Sequence, residues 1–253
     1  GMGGSALSAM LASQVLKRNI IIHRDYGLPS VEGVALKDTL FIFSSYSGNT
    51  EEVINGFMEA KKKGYVIAII AVGGKLIELA KKSNISYIQM PDTGIQPRSA
   101  LGYSLRAFLK LVDETELKKT NNLSKSLRPR ALEKTGKNLA KEMRECLPVI
   151  YSSERNKGIA YNWKIKINET GKTPAFYNIL PEMNHNEMTS YDYNKATKDL
   201  VQKFYFLILK DETDDKKIIK RMETLEKLYE KKNIKVKTLK LKGKNVWQKI
   251  FSS

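Results

Sequence analysis

Uninterrupted apolar runs of strand length recur along this chain, and an amphipathic segment follows each of them. Residues 38–44 read DTLFIFS, 65–72 YVIAIIAV and 202–209 QKFYFLIL. A strand that is apolar on both sides of its pleat has both faces covered, which is the condition of a parallel sheet packed between helices. Residues 51–63, ending at Gly64, together with 75–83, 98–112 and 214–232, have helical spacing and supply those covers.

The remaining elements fit the same scheme. Residues 6–17 are expected as a helix, 19–23 as a short apolar strand and 85–90 as a strand. A polar stretch over 113–126 and a long helix over 129–145 then connect to a second series: strand 147–151, helix 158–168, extended 174–179, alternating strand 234–241 and a closing helix from Asn245. The expected class is α/β, as two tandem three-layer α-β-α domains with parallel sheets. Residues 1–112 form the first domain, 113–146 the connecting segment and long helix, and 147–253 the second.

Charge narrows the partners. Lys plus Arg number 44 against 27 Asp plus Glu, a net +17 that suits nucleic acid, an anionic membrane face or a small phosphorylated molecule. No aromatic residue lies between Asp113 and Leu147, so the Lys-rich stretch has no stacking platform for single strands. No run approaches the roughly 20 apolar residues that cross a bilayer. Neither nucleic acid nor membrane is therefore expected as a partner. The single Cys146 and two histidines, His23 and His185, give no disulfide framework and no paired-cysteine metal site. Together with a start that lacks the segments of a signal peptide, they suit a reducing cytoplasm.

The most informative peptide is 44–52, SSYSGNTEE, where an apolar strand ends and a helix begins. Hydroxyls and a glycine at a helix N-terminus after a parallel strand form a phosphate cradle, with Ser45, Ser47 and Thr50 as donors. The same residues also read as simple helix caps, with Glu51 and Glu52 favourable in the first turn. The opening GMGGSA is a glycine-rich turn into a helix that admits close backbone approach.

Further along stand QPRSALGY at 96–103, KINE at 166–169 and PEMNHNE at 181–187. Taken in this order with the two loops, they resemble the bifunctional phosphoglucose/phosphomannose isomerases, a family of tandem sugar isomerase (SIS) domains. The pairing of Glu169 with a histidine 16 residues later, inside PEMNHNE, is the most specific part of the match.

The resemblance implies a role for each position. Ser45, Ser47 and Thr50 would hold the sugar phosphate, with Gly4 and Ser5 bordering the sugar. Arg98 would steady an enediolate, Glu169 would be the base, and His185, supplied by the neighbouring subunit of a homodimer, would open the ring. Aldose-ketose isomerisation needs just such a carboxylate, imidazole and cation, with no metal and no cofactor. The resemblance also implies a strand ahead of the GMGGS turn and a C-terminal Thr and Lys that lie outside this sequence, so the C-terminal end of the second domain is expected to be incomplete; Lys242, Lys244 and Lys249 are the cations near this end, and none aligns with that Lys. Glu182 and Glu187 stand as other carboxylates for the base. The function expected is interconversion of glucose 6-phosphate and fructose 6-phosphate, with mannose 6-phosphate as a further substrate. The alternative is a non-catalytic phosphosugar sensor of the same fold.

Overall fold

Every strand pairing in the computed structural model, which describes residues 1–30 and 35–253, is parallel. β1 (Leu40–Ser44), β2 (Val66–Ala71) and β3 (Ser86–Gln89) make a three-stranded sheet in that order. β4 (Leu147–Ser153), β5 (Phe176–Leu180), β6 (Phe204–Lys210) and β7 (Lys235–Lys240) make a four-stranded sheet of order β5-β4-β6-β7. The sheets belong to separate compact units, Gly1–Asn121 and Asn122–Ser253.

In the first unit the helices are α1 (Gly3–Ala12), α2 (Glu51–Lys62), α3 (Gly74–Lys82), α4 (Leu101–Val112) and α5 (Glu114–Lys119). In the second they are α6 (Leu123–Ser126), α7 (Pro129–Glu142), α8 (Lys157–Glu169), α9 (Glu187–Ser190), α10 (Lys198–Val201), α11 (Lys216–Lys231) and α12 (Val246–Ser252). Three of them end by one device. After α2, Gly64 turns left-handed at φ 69° and Tyr65 N–H reaches back to the Ala60 carbonyl at 3.1 Å. Asn84 does the same after α3 and Asn233 after α11. This left-handed stop satisfies the last helical carbonyls and throws the chain straight into β2, β3 and β7.

Burial follows the apolar runs. Five of the six residues of β2 are buried, and Phe57, Ile69 and Leu76 close the core of the first unit. In the second, Tyr151, Phe206 and Tyr229 are fully buried, the Phe206 ring 4.7 Å from that of Tyr229. The outer strand β7 carries Lys235, Lys237 and Lys240 and has no fully buried residue, which discourages further pairing at that edge.

Three expectations need correction. Residues 19–23 form no strand: Ile20, Ile21 and Ile22 line, with Leu40 and Ile42 of β1, a cavity of about 620 Å3. A strand needs a partner about 4.8 Å away, and among the described residues this segment has none. The first helix covers Gly3–Ala12 rather than 6–17, because Ser13 bonds its hydroxyl back to the Met10 carbonyl at 2.8 Å and the chain turns there. Arg98 does not open α4; it sits in a separate one-turn 3-10 helix, Pro97–Ser99, whose proline fixes the start.

Among the described residues, no helix is long and apolar enough to cross a membrane, and no group of three His, Cys, Asp or Glu side chains is arranged to hold a metal ion.

Candidate active site

In the first unit the residues singled out by sequence gather beyond the carboxyl ends of β1, β2 and β3, where ligands bind in parallel sheets. The loop 45–50 leaves β1 and enters α2. Ser45 is fully buried, its Oγ 2.8 Å from the Thr50 hydroxyl and accepting the Gly48 N–H at 3.1 Å. Ser47 is exposed and takes the Asn49 N–H at 3.2 Å. Thr50 occupies the N-cap of α2 yet makes no side-chain cap bond. The capping alternative is thus not what Thr50 does. The first-turn amides of α2 keep their open donors, and the positive end of the helix faces the loop.

Two neighbouring turns complete the cradle. Gly48, at φ 73°, lies so tightly on the turn after β2 that a methyl group there would stand 1.8 Å from the Gly73 carbonyl oxygen. Asn49 Oδ1 accepts the Lys75 N–H at 2.9 Å, tying loop 45–50 to the start of α3. On the other side, Ser5 Oγ accepts the Tyr46 N–H at 3.0 Å. Gly4 approaches the backbone of Arg98, where an added Cβ would lie 3.4 Å from the Arg98 Cα. The structure therefore brings Gly4, Ser5, Ser45, Ser47, Thr50 and Arg98 to one end of one sheet. Hydroxyls, helix-start amides and a guanidinium suit a phosphate or a developing oxyanion.

Glu169 and His185 belong to the second unit, and the topology separates them. α8 begins at the carboxyl end of β4 and runs back along the sheet for 13 residues, about 20 Å at a helical rise. Glu169 is its last residue, near the amino end of β5. His185 sits in the 3-10 turn Glu182–His185 that follows the carboxyl end of β5, exposed and with no hydrogen-bond partner among the described residues. One chain thus places Glu169 and His185 at opposite ends of this sheet.

The alternative carboxylates are both engaged. Glu187 accepts the Tyr151 hydroxyl at 2.6 Å and the amide of Asn178, and Glu182 accepts Asn186 Nδ2 at 2.8 Å. Of the C-terminal cations, Lys249 is bound to Asp211 at 2.7 Å. Arg155 joins it, 3.0 Å from both Asp211 and Asp214. Burial works to raise the Asp211 carboxyl, but the Lys249 ammonium and the Thr213 donors outweigh it and hold it low. Burial pushes Asp214 up, against the pull of Ser153 and Arg155. This network went unread in the sequence, although the acidic DETDD directly after the apolar run of β6 is a signal for it.

A family model described as the bacterial phospho-glucose isomerase C-terminal SIS domain matches residues 132–253. The bifunctional phosphoglucose/phosphomannose isomerase of Aquifex aeolicus is 36% identical over 238 residues, 91% of this chain and 71% of the relative. The enzyme of the same name from Caldicellulosiruptor bescii is 38% identical over 245 residues, 88% and 69%. The chain belongs to the bifunctional phosphoglucose/phosphomannose isomerase family. The fold of this family member also resembles the solved glucosamine-6-phosphate deaminase of Thermotoga maritima, with a TM-score of 0.62, 16% identity and 89% and 68% of the two chains covered. Of the peptides that carry the resemblance, GMGGS and SSYSGNT build the cradle, QPRSALGY brings Arg98 to it, and KINE and PEMNHNE carry Glu169 and His185.

Proposed function

We propose that this chain interconverts glucose 6-phosphate and fructose 6-phosphate, and accepts mannose 6-phosphate, by proton transfer through a cis-enediolate. The observation that carries this reading is its relation to curated enzymes of that name over about nine-tenths of its length. The cradle supports it: the sugar phosphate lies on Ser45, Ser47, Thr50 and the start of α2, with Gly4 and Ser5 along the sugar.

His185 opens the ring by moving the proton between the ring oxygen and the anomeric hydroxyl. Glu169 removes the C2 proton of the aldose and returns it to C1, and the Arg98 guanidinium steadies the charge on the enediolate oxygen. The working form is a homodimer in the cytoplasm, with His185 acting in the partner's site. The opposite placement of Glu169 and His185 in one chain supports that exchange, because a second copy supplies the group the first holds out of reach. The cationic surface raises the local concentration of the anionic substrate.

The test is a coupled assay of fructose 6-phosphate conversion to glucose 6-phosphate with chelator present and mannose 6-phosphate in parallel. Turnover with both aldoses is expected. Saturable binding without turnover would replace the isomerase by the sensor reading.

A further inference from the structure

Glu187 takes no part in the chemistry above, yet its carboxylate is held by two donors that stand on neighbouring strands of the second unit. Its Oε1 accepts the Tyr151 hydroxyl at 2.6 Å and its Oε2 accepts Asn178 Nδ2. Tyr151 and Asn178 are register partners on β4 and β5, so one carboxylate spans a single rung of the sheet. Neither donor can readily turn away. Asn178 Oδ1 already accepts the Ile179 N–H at 2.8 Å, which sets its amide face toward Glu187. Tyr151 is fully buried, its ring stacked 5.5 Å from that of Phe206. Burial, then the neighbouring Tyr229 and the Glu187 charge, push its phenol upward, so it remains a donor.

The backbone of Glu187 is fastened to the turn that holds His185. Asn186 accepts the Glu187 N–H with its Oδ1 and donates from Nδ2 to Glu182 at 2.8 Å, binding the turn to itself. Met183 is fully buried in the core and anchors the other side. Between these two fixed points the His185 imidazole stands exposed, with no protein partner among the described residues to aim it. Its direction is set by the backbone of the turn alone. A carboxylate facing aromatic rings is a costly way to fasten a turn, and two converging neutral donors offset that cost while leaving the geometry narrow.

We propose that Glu187 is a positioning residue: clamped by Tyr151 and Asn178, it fixes the turn 181–187 so that the His185 imidazole keeps one orientation for ring opening. This rests on the isomerase reading of His185. Glu187→Gln is the sharpest probe, because a side-chain amide has one acceptor oxygen where the carboxylate has two, so whichever way it turns either Tyr151 or Asn178 loses the acceptor it now has.

The experiment measures kcat and KM for fructose 6-phosphate in wild type, E187Q, Y151F, H185N and the E187Q/H185N double variant, with a thermal melt of each. E187Q should lose roughly 10- to 100-fold in kcat with KM changed less than about 2-fold, and Y151F should lose less in the same pattern. In the H185N background E187Q should cost almost nothing more, since a positioning group acts only through the residue it positions. A merely structural role would lower kcat by the same factor in both backgrounds, and that result, or an unchanged kcat in E187Q, overturns the proposal. If wild type turns nothing over, the isomerase reading fails by itself, and the ring resonances of His185 decide the positioning. One sharp set in wild type and a broadened or shifted set in E187Q supports the clamp; identical spectra refute it.

Discussion

Glu169, the last residue of α8, and His185, in the turn beyond β5, lie at opposite ends of the second sheet although 16 residues separate them in sequence. A β-strand and a helix that run antiparallel to one another carry the chain away and back. On the proposed mechanism, in which one site uses both groups, they come from two copies. Mixing inactive Glu169→Gln with inactive His185→Asn should restore about a quarter of wild-type activity, because half the dimers are mixed and each holds one intact site. Steady-state rates after co-refolding check this; no recovery would place both groups in one chain's site.

The hydroxyls of Ser45 and Thr50 meet at 2.8 Å and leave the α2 amides uncapped. On the proposed phosphate site Thr50→Val removes one donor to the anion, so KM for the sugar phosphate should rise roughly 10-fold or more while kcat moves less. Competitive inhibition by inorganic phosphate should weaken by a similar factor. Equal KM values in the two proteins would move the phosphate elsewhere.

Gly48 and Gly64 are both left-handed, at φ 73° and 69°, but only Gly48 is crowded. At Gly64 nothing lies within 4 Å, so Gly64→Ala should cost only the conformational strain, about 1 kcal/mol. Gly48→Ala adds a clash with the Gly73 carbonyl and should cost at least about 2 kcal/mol more in chemical denaturation. Similar losses at both positions would mean that loop 45–50 gives way easily.

Glu169→Gln keeps the shape of the side chain and removes its basicity. Turnover should fall roughly 100- to 10,000-fold with substrate affinity largely intact. Isothermal titration with fructose 6-phosphate, alongside the coupled assay, separates the two effects. Normal turnover would reassign the base.

Asp211 and Asp214 should impose opposite pH dependences. The folded Asp211 carboxyl is held low, so its contribution is present above the unfolded value of about 3.9 and is lost as pH falls through the folded value. Asp211→Asn should then cost about 1–3 kcal/mol at neutral pH, discounted because Arg155 is half exposed, and the gap to wild type should shrink on acidification. Asp214 is pushed up, so its contribution is present below about pH 4 and lost as pH rises through its folded value. Asp214→Asn should gain on wild type as pH rises. Melts from pH 3 to 7 measure both slopes.

Much of this was legible because particular residues permit few alternatives. YVIAIIAV places nothing polar on either side of a strand, so β2 is buried wherever the chain goes. Glu51, Glu52 and the closing Lys61, Lys62 and Gly64 bracket α2 to within one residue of the expectation. The apolar run 19–23 was misread for the opposite reason. It has strand composition, but strand structure depends on a neighbour, and the neighbouring space is a cavity.

The sequence by itself determined the layers, the parallel pairing and the positions of the hydroxyl loop, Arg98, Glu169 and His185, because periodicity and turn residues act over a few positions. Tertiary structure alone decided which of them meet. It joined Ser5 to Tyr46 and Gly4 to Arg98, engaged Lys249 with Asp211, turned Glu187 inward onto Tyr151 and Asn178, and set Glu169 apart from His185. Those outcomes depend on which strands stack beside which and in which direction each helix returns. These are long-range relations that local preference does not encode.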